Sequence, residues 1–219
     1  MNAQRLTGRV LALAMGLAAS GAPTPAPLGA AHAASFDCAR AASASEIAIC
    51  SDRGLSSLDG QLGTAYAQRL ALDPAVRQLQ RGWLKARDAG CGRDRACLRR
   101  LMAAQLAWLR GGAGRPPTRI PVLEGACALT SVARVESRLE GAPDSGSAIE
   151  ETNGAYQVSY DMIPAIQGSR PGDPTLLCLV SIPRDCPPGD DRSRVYAAAN
   201  LRTLRAWSAP DAEHMCGGA

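Results

Sequence analysis

The spacing of apolar residues changes character near residue 111. Between residues 43 and 109 it follows a helical period. Leu58, Leu62, Ala65, Tyr66 and Leu70 recur at intervals of three and four, which stacks them into one stripe of a helix beginning near Leu55. Upstream, Ser43 and Glu46 stand three apart just before Ile47, Ala48 and Ile49. That is a capping box: the serine oxygen accepts from the Glu46 amide while the glutamate reaches back. This first helix is short, because Gly54 follows soon after Cys50. Asp73-Pro74 ends the second helix and opens a third, with Asp73 as N-cap and Pro74 at the first helical position. Val76, Leu79, Trp83 and Leu84 give the third helix its buried face, and Gly90 and Gly92 break it. Asp94 caps a fourth, whose face runs through Cys97, Leu98, Leu101, Ala104, Leu106 and Leu109.

Beyond residue 120 the period shortens to two. Val132 to Leu139 alternates weakly, and Asn153-Gly154 reads as a hairpin turn entering a strand over 155–160. Thr175 to Ile182 is a near-continuous apolar run that suits a buried strand, and Val195–Ala199 and Leu204–Ser208 pair through residues 200–203. The predicted fold class is therefore α+β. A small disulfide-stapled helical domain over residues 34–110 is followed by a Gly/Pro linker over 111–119 and a small antiparallel β domain over 120–219. No internal repeat relates the halves.

Charge changes at the same border. Residues 34–110 carry 12 basic and 7 acidic side chains, a net of +5; residues 111–219 carry 10 and 13, a net of −3. Such asymmetry suggests two modules with separate surfaces. Lys85 is the only lysine and Phe36 the only phenylalanine. Cores built from Leu, Val, Ile and Ala in small domains often need covalent help. Eight cysteines can supply it: Cys38, Cys50, Cys91, Cys97, Cys127, Cys178, Cys186 and Cys216, four on each side of the border. Residues 1–33 set the compartment. Arg5 and Arg9 precede the short apolar stretch Val10–Ala19, and Ala31-His32-Ala33 fits a small-x-small cleavage site. That reads as a signal peptide, too short to span a membrane, with a periplasmic or secreted product. No cysteine follows the apolar stretch, which argues against a lipid anchor. In an exported chain eight cysteines read as disulfides. The economical picture ties the arm carrying Cys38 and Cys50 to the turn carrying Cys91 and Cys97, although four cysteines leave three pairings open.

The motifs of the first half form a recognisable set: Phe36-Asp37-Cys38, Glu46-Ile47-Ala48-Ile49-Cys50, Leu55-x-x-Leu58-Asp59, Tyr66, Trp83-Leu84-x-x-Arg87, Cys91 and Cys97-Leu98. Residues 36–109 so resemble the N-terminal domain of the LprI-type lysozyme inhibitor family. The resemblance implies an exported, disulfide-bonded helical domain whose partner is a lysozyme or another cell-wall hydrolase. Residues 120–219 resemble no family we recognise.

Candidate chemistry is sparse. After the leader, His214 is the single histidine, and there is no nucleophile elbow or phosphate-binding glycine loop. Two carboxylates could serve a wall-glycan hydrolase, but Glu46 reads as a helix cap, Asp59 as an early-helix charge, and Glu150-Glu151 and Asp190-Asp191 as solvated loop pairs. Asp211-x-Glu213-His214 is a weak metal pattern, better read as a polar tail pinned through Cys216. The expectation is a protein without catalysis, cofactor or metal. The basic run Arg93, Arg95, Arg99 and Arg100 lacks the interleaved aromatics of a nucleic-acid surface, and export argues against that partner. An inhibitor of a basic lysozyme gains association rate from acidic groups. The candidate contact residues are therefore Glu150, Glu151, Asp185, Asp190 and Asp191, with Arg87 as a possible hot spot beside the core residues Trp83 and Leu84. The competing reading is a non-inhibitory envelope adaptor or glycan-binding module that engages peptidoglycan.

Overall fold

The computed structural model describes residues 34–111 and 115–218. The expected leader over 1–33 and the centre of the linker, 112–114, lie outside the described residues. A single 3-10 turn, Cys38–Arg40, leads into α1 (Ala44–Cys50), α2 (Arg53–Leu72), α3 (Val76–Cys91) and α4 (Arg95–Arg110). Six strands follow: β1 (Cys127–Glu136), β2 (Ser147–Glu151), β3 (Tyr156–Ser159), β4 (Pro174–Ser181), β5 (Val195–Asn200) and β6 (Arg205–Pro210). A one-turn helix, α5 (Pro164–Gln167), lies between β3 and β4. The chain is α+β, as its periodicity implies.

Local chemistry sets the helix ends. Ser43 and Glu46 form the full capping box on α1. Asp52 accepts from the Leu55 amide at the start of α2, so Gly54 lies inside a helix rather than between two. Asp94 accepts from the amides of Ala96 and Cys97. Asp73 accepts from the Ala75 amide in the turn that precedes α3, which begins two residues later than Asp73-Pro74 suggests. Gly90 does not break α3. It belongs to the helix, and Gly92 alone ends it with a φ of 51°.

The sheet order is β3-β2-β1-β4-β5-β6, and every pairing is antiparallel. β1 serves two partners. Residues 127–131 pair with β4 and residues 132–136 with β2, with a bulge between Val132 and Arg134. The sheet curls until its ends meet. Gln157 on β3 donates through Nε2 to the carbonyls of Tyr196 and Ala209, and Trp207 Nε1 donates to Gln157 Oε1 at 2.9 Å.

The strands bury both faces, by the two-residue alternation of side chains. Leu177, Leu179, Tyr196, Ala198 and Trp207 face inward onto Ile149 and α5. Leu176, Cys178, Val180, Ala197 and Ala199 face the helices and share one core with Ile49, Leu55, Trp83, Leu98, Leu101 and Met102. The helical and β halves thus pack together across the border at 111–119. α3 makes this possible with glycine. A Cβ on Gly82 would fall 2.2 Å from Leu201 Cδ2, and one on Gly90 would fall 2.7 Å from Ala197 Cβ. Leu84, expected in this core, is 37 % exposed.

All eight cysteines are bridged: Cys38–Cys50, Cys91–Cys97, Cys127–Cys178 and Cys186–Cys216. The expected tie between the arm and the α3–α4 turn is not disulfide. Each pair closes locally, because α1 turns Cys50 back onto Cys38 and the turn at Gly92 brings Cys97 beside Cys91. The arm reaches the α3–α4 turn through Ser45, whose hydroxyl donates to the Gly92 carbonyl.

Candidate functional site

Adjacent carboxylates on a strand point to opposite faces, and this separates Glu150 from Glu151. Neither lies in a solvated loop; both belong to β2. Glu150 stands on the outer face opposite Arg134, which donates through Nε at 2.9 Å and Nη2 at 2.5 Å. Glu136 lies 3.6 Å from the same guanidinium. Across β3, Tyr156 pairs with Glu150. Burial, then the charges of Glu213 and Glu136, raise its phenol above the ordinary range. Glu213 comes from the C-terminal segment and meets Arg138 at 3.1 Å. Arg138 lies over the exposed ring of Tyr160, 4.2 Å from its centroid. The outer face of β1, β2 and β3 is thus an acidic surface with two arginines and an exposed aromatic.

Glu151 turns inward and is 1 % exposed. One carboxyl oxygen accepts from Thr175 Oγ1 at 2.8 Å; the other is buried with no hydrogen-bond donor among the described residues. Burial pushes its pKa up to about 7, against the lowering effect of the Thr175 bond. Its burial corrects the expectation of a contact residue. Beside it, on the other side of Thr175, Asp173 accepts from Arg202, Asn200 and the Arg170 amide. Those bonds, Arg202 foremost, hold its carboxyl well below the usual carboxylate range.

The aspartates lie in the loop between β4 and β5. Asp185 is exposed, with a left-handed φ of 63°. Asp190 accepts from Arg192 and from the Gly217 amide, bonds that keep it ionised well below its ordinary pKa. Asp191 pairs with Arg194. The Cys186–Cys216 bridge fastens this loop to the C-terminal segment that also carries Glu213. One covalently pinned segment therefore connects the two acidic regions.

Arg87 is not at the flank of the core but inside it, 3 % exposed. It donates to Asp88 Oδ1, stacks 5.6 Å from the centre of the Trp83 ring and lies 4.0 Å from Asp59. Asp59 is itself buried, and its carboxylate accepts from the Ser35 amide and hydroxyl. Arg87 and Asp59 therefore hold the N-terminal arm and α3 against α2; neither is a surface charge. The basic run is partly neutralised: Arg100 meets Glu124 at 2.9 Å and Arg99 meets Asp52 at 3.5 Å.

Sequence reasoning missed Arg134, Glu136, Arg138 and Tyr160, and met Glu213 only in a weak metal pattern. The only signal available was register. Arg134 and Glu150 become neighbours through the β1–β2 pairing, and Arg138 and Glu213 are 75 residues apart.

Among the described residues, no helix is long and apolar enough to cross a membrane, and no group of His, Cys, Asp and Glu is arranged to hold a metal. No solved structure matches the chain. Lipoprotein LprI of Mycobacterium tuberculosis and that of Mycobacterium bovis are each 37 % identical to it over 106 residues. The aligned region is 46 % of this chain and 53 % of either relative, so the chain spans about half the length of the curated relatives it matches. The family model described as lysozyme inhibitor LprI matches residues 38–135, which takes in helices α1 to α4, the linker and almost all of β1. Residues 38–135 are thus similar to the LprI lysozyme inhibitor family, and the remainder of the sheet lies outside that match.

Proposed function

We propose that this protein is exported to the periplasm or beyond, binds a lysozyme or related cell-wall hydrolase, and blocks it without catalysis of its own. The observation that carries the reading is the match of residues 38–135 to a family described by lysozyme inhibition. Four disulfides and relatives named as lipoproteins support an extracytoplasmic site of action. The contact falls to groups that reach solvent: Glu150 on the outer face, and Asp185, Asp190 and Asp191 on the stapled loop. Pinning that loop in advance lowers the entropy cost of association, and Asp185, the loop aspartate outside the Asp190–Arg192 and Asp191–Arg194 pairs, presents a carboxylate to a basic enzyme.

The test is a cell-wall turbidity assay. The purified, oxidised protein is added to lysozyme of several types and the protein concentration for half-inhibition is recorded. The variants are made in the whole chain, because the halves share a core. Glu150→Arg and Asp185→Arg should each raise that concentration about fivefold, roughly 1 kcal/mol, with a larger effect at low salt. Full protection by both variants removes the acidic face from the interface. No protection by the parent protein at large molar excess removes inhibition altogether.

One observation favours a second reading, a glycan-binding module. Thr118, Arg119, Thr130, Ser131, Thr152 and Asn153, with Leu129, line an open groove of about 530 Å³, and the Thr152 hydroxyl lies 3.3 Å from that of Thr130 and 3.1 Å from that of Ser131. Sedimentation with peptidoglycan, coupled with an unchanged lysozyme rate, selects that reading over inhibition.

A further inference from the structure

A second cavity, unrelated to the acidic face, lies between α4 and the chain that returns from it to β1. Its volume is about 310 Å³. Ala104 and Trp108 of α4 form one wall, Pro116, Pro117 and Ala126 the other, and Leu176 of β4 lies beneath. Two side chains of the lining carry polar hydrogen, Gln105 and Trp108, and the Trp108 indole N–H is buried without a hydrogen-bond acceptor among the described residues. Gln105 is 7 % exposed, and its Nε2 already donates to Gln80 Oε1 at 2.8 Å. A peptide or sugar placed here would lose its hydrogen bonds to water and regain few. The walls suit a hydrocarbon.

The cavity has a closed end and an open one. At the closed end Gly125, with a φ of 91°, brings the returning chain onto α4; a Cβ there would fall 2.7 Å from the Arg100 carbonyl oxygen. The Arg100–Glu124 ion pair at 2.9 Å fastens the same point. At the open end Ala107 and Pro117 are exposed. A slot shut at one end admits a chain terminus and not a continuous polymer. Its volume sits at the lower limit of small-molecule sites, room for a ligand of on the order of ten non-hydrogen atoms. Charge selects the head group. No carboxylate occurs in the sequence between Asp94 and Glu124, whereas Arg115 directly precedes the two prolines and Arg119, which also lines the polar groove, follows two residues after them; both are exposed.

We propose that this slot binds a medium-chain fatty acid, with its alkyl chain between α4 and Pro116-Pro117 and its carboxylate at Arg115 and Arg119. The closed end sets the chain length, and the arginines set the preference for an anion over a neutral or cationic head.

The test is calorimetric titration of the full, oxidised protein with decanoate, held below its micelle threshold, beside decanol and phosphatidylglycerol vesicles. Saturable one-to-one binding of decanoate is expected. Ala104→Leu, which fills the slot, and Ala107→Phe, which covers its exposed mouth, should each weaken that binding at least tenfold. Arg115→Glu with Arg119→Glu should weaken decanoate about tenfold and leave decanol unchanged. Ala107→Phe lies at the surface, so its result stands even where Ala104→Leu perturbs folding. Absence of saturable decanoate binding overturns the proposal, as does undiminished binding by Ala107→Phe. Vesicle binding without decanoate binding overturns it in favour of a membrane surface, and equal affinity for decanol and decanoate overturns the role of the arginines.

Discussion

Glu150 and Glu151 are the same residue type at adjacent positions, and the pleat of β2 gives them opposite lives. Glu150 meets an arginine on the solvent side, while Glu151 is buried with one threonine hydroxyl on one of its two oxygens. No sequence signal distinguishes them, because the outcome depends on which face of β2 the rest of the sheet covers. Glu151 has a pH consequence. Its folded-state pKa of about 7 lies above its ordinary value of 4.5, so the folded chain holds the proton longer than the unfolded chain. Its contribution to stability is full below about pH 4.5 and declines as pH rises to about 7. The loss should total about 3 kcal/mol at the pH 8 plateau. Glu151→Gln keeps an acceptor for Thr175 and removes the titration. Urea unfolding at pH 5 and pH 8 should show the parent protein losing stability between the two, and the variant losing less by about that amount. Equal slopes would mean that Glu151 is ionised in the fold and solvated by water.

At the scale of elements, what the sequence made legible was local. The capping box of α1, the Asp94 cap of α4, the Asn153-Gly154 hairpin and the buried run of β4 each depend on residues close in the chain, and each is read from spacing. What escaped depends on what lies across from an element. α3 is the clearest case. Its apolar residues predict a single buried face, yet the structure buries Gly82, Ala86 and Arg87 as well, because α3 lies between the other helices and the sheet. Gly90 looks like a helix breaker in sequence and is a point of close approach in space. Its substitution reverses the usual sign. Gly90→Ala adds about 1 kcal/mol of intrinsic helix preference. It also drives a methyl group into Ala197 and into Val180, whose Cγ2 would lie 2.6 Å away. Overpacking of a tight contact costs about 1–3 kcal/mol, so Gly90→Ala should lower the thermal midpoint. A rise would show that α3 and the sheet can separate without loss.

For the molecule as a whole, composition, charge and the change from helical to strand periodicity set residues 111–119 apart in the sequence, and the structure passes from helices to strands across them. The joining of the halves left no such mark, because no motif records that Leu176, Cys178, Val180, Ala197 and Ala199 meet the helices. The disulfides follow the opposite logic. Two close within the helical half and two within the β half, so no covalent bond other than the backbone crosses between them. This makes the protein a natural pair of complementing fragments. A chain ending at residue 111 and a second beginning at residue 115, each oxidised, should associate spontaneously through the α3–sheet contact and co-elute on a sizing column. In denaturant they should part without any reductant, and on dilution they should find each other again.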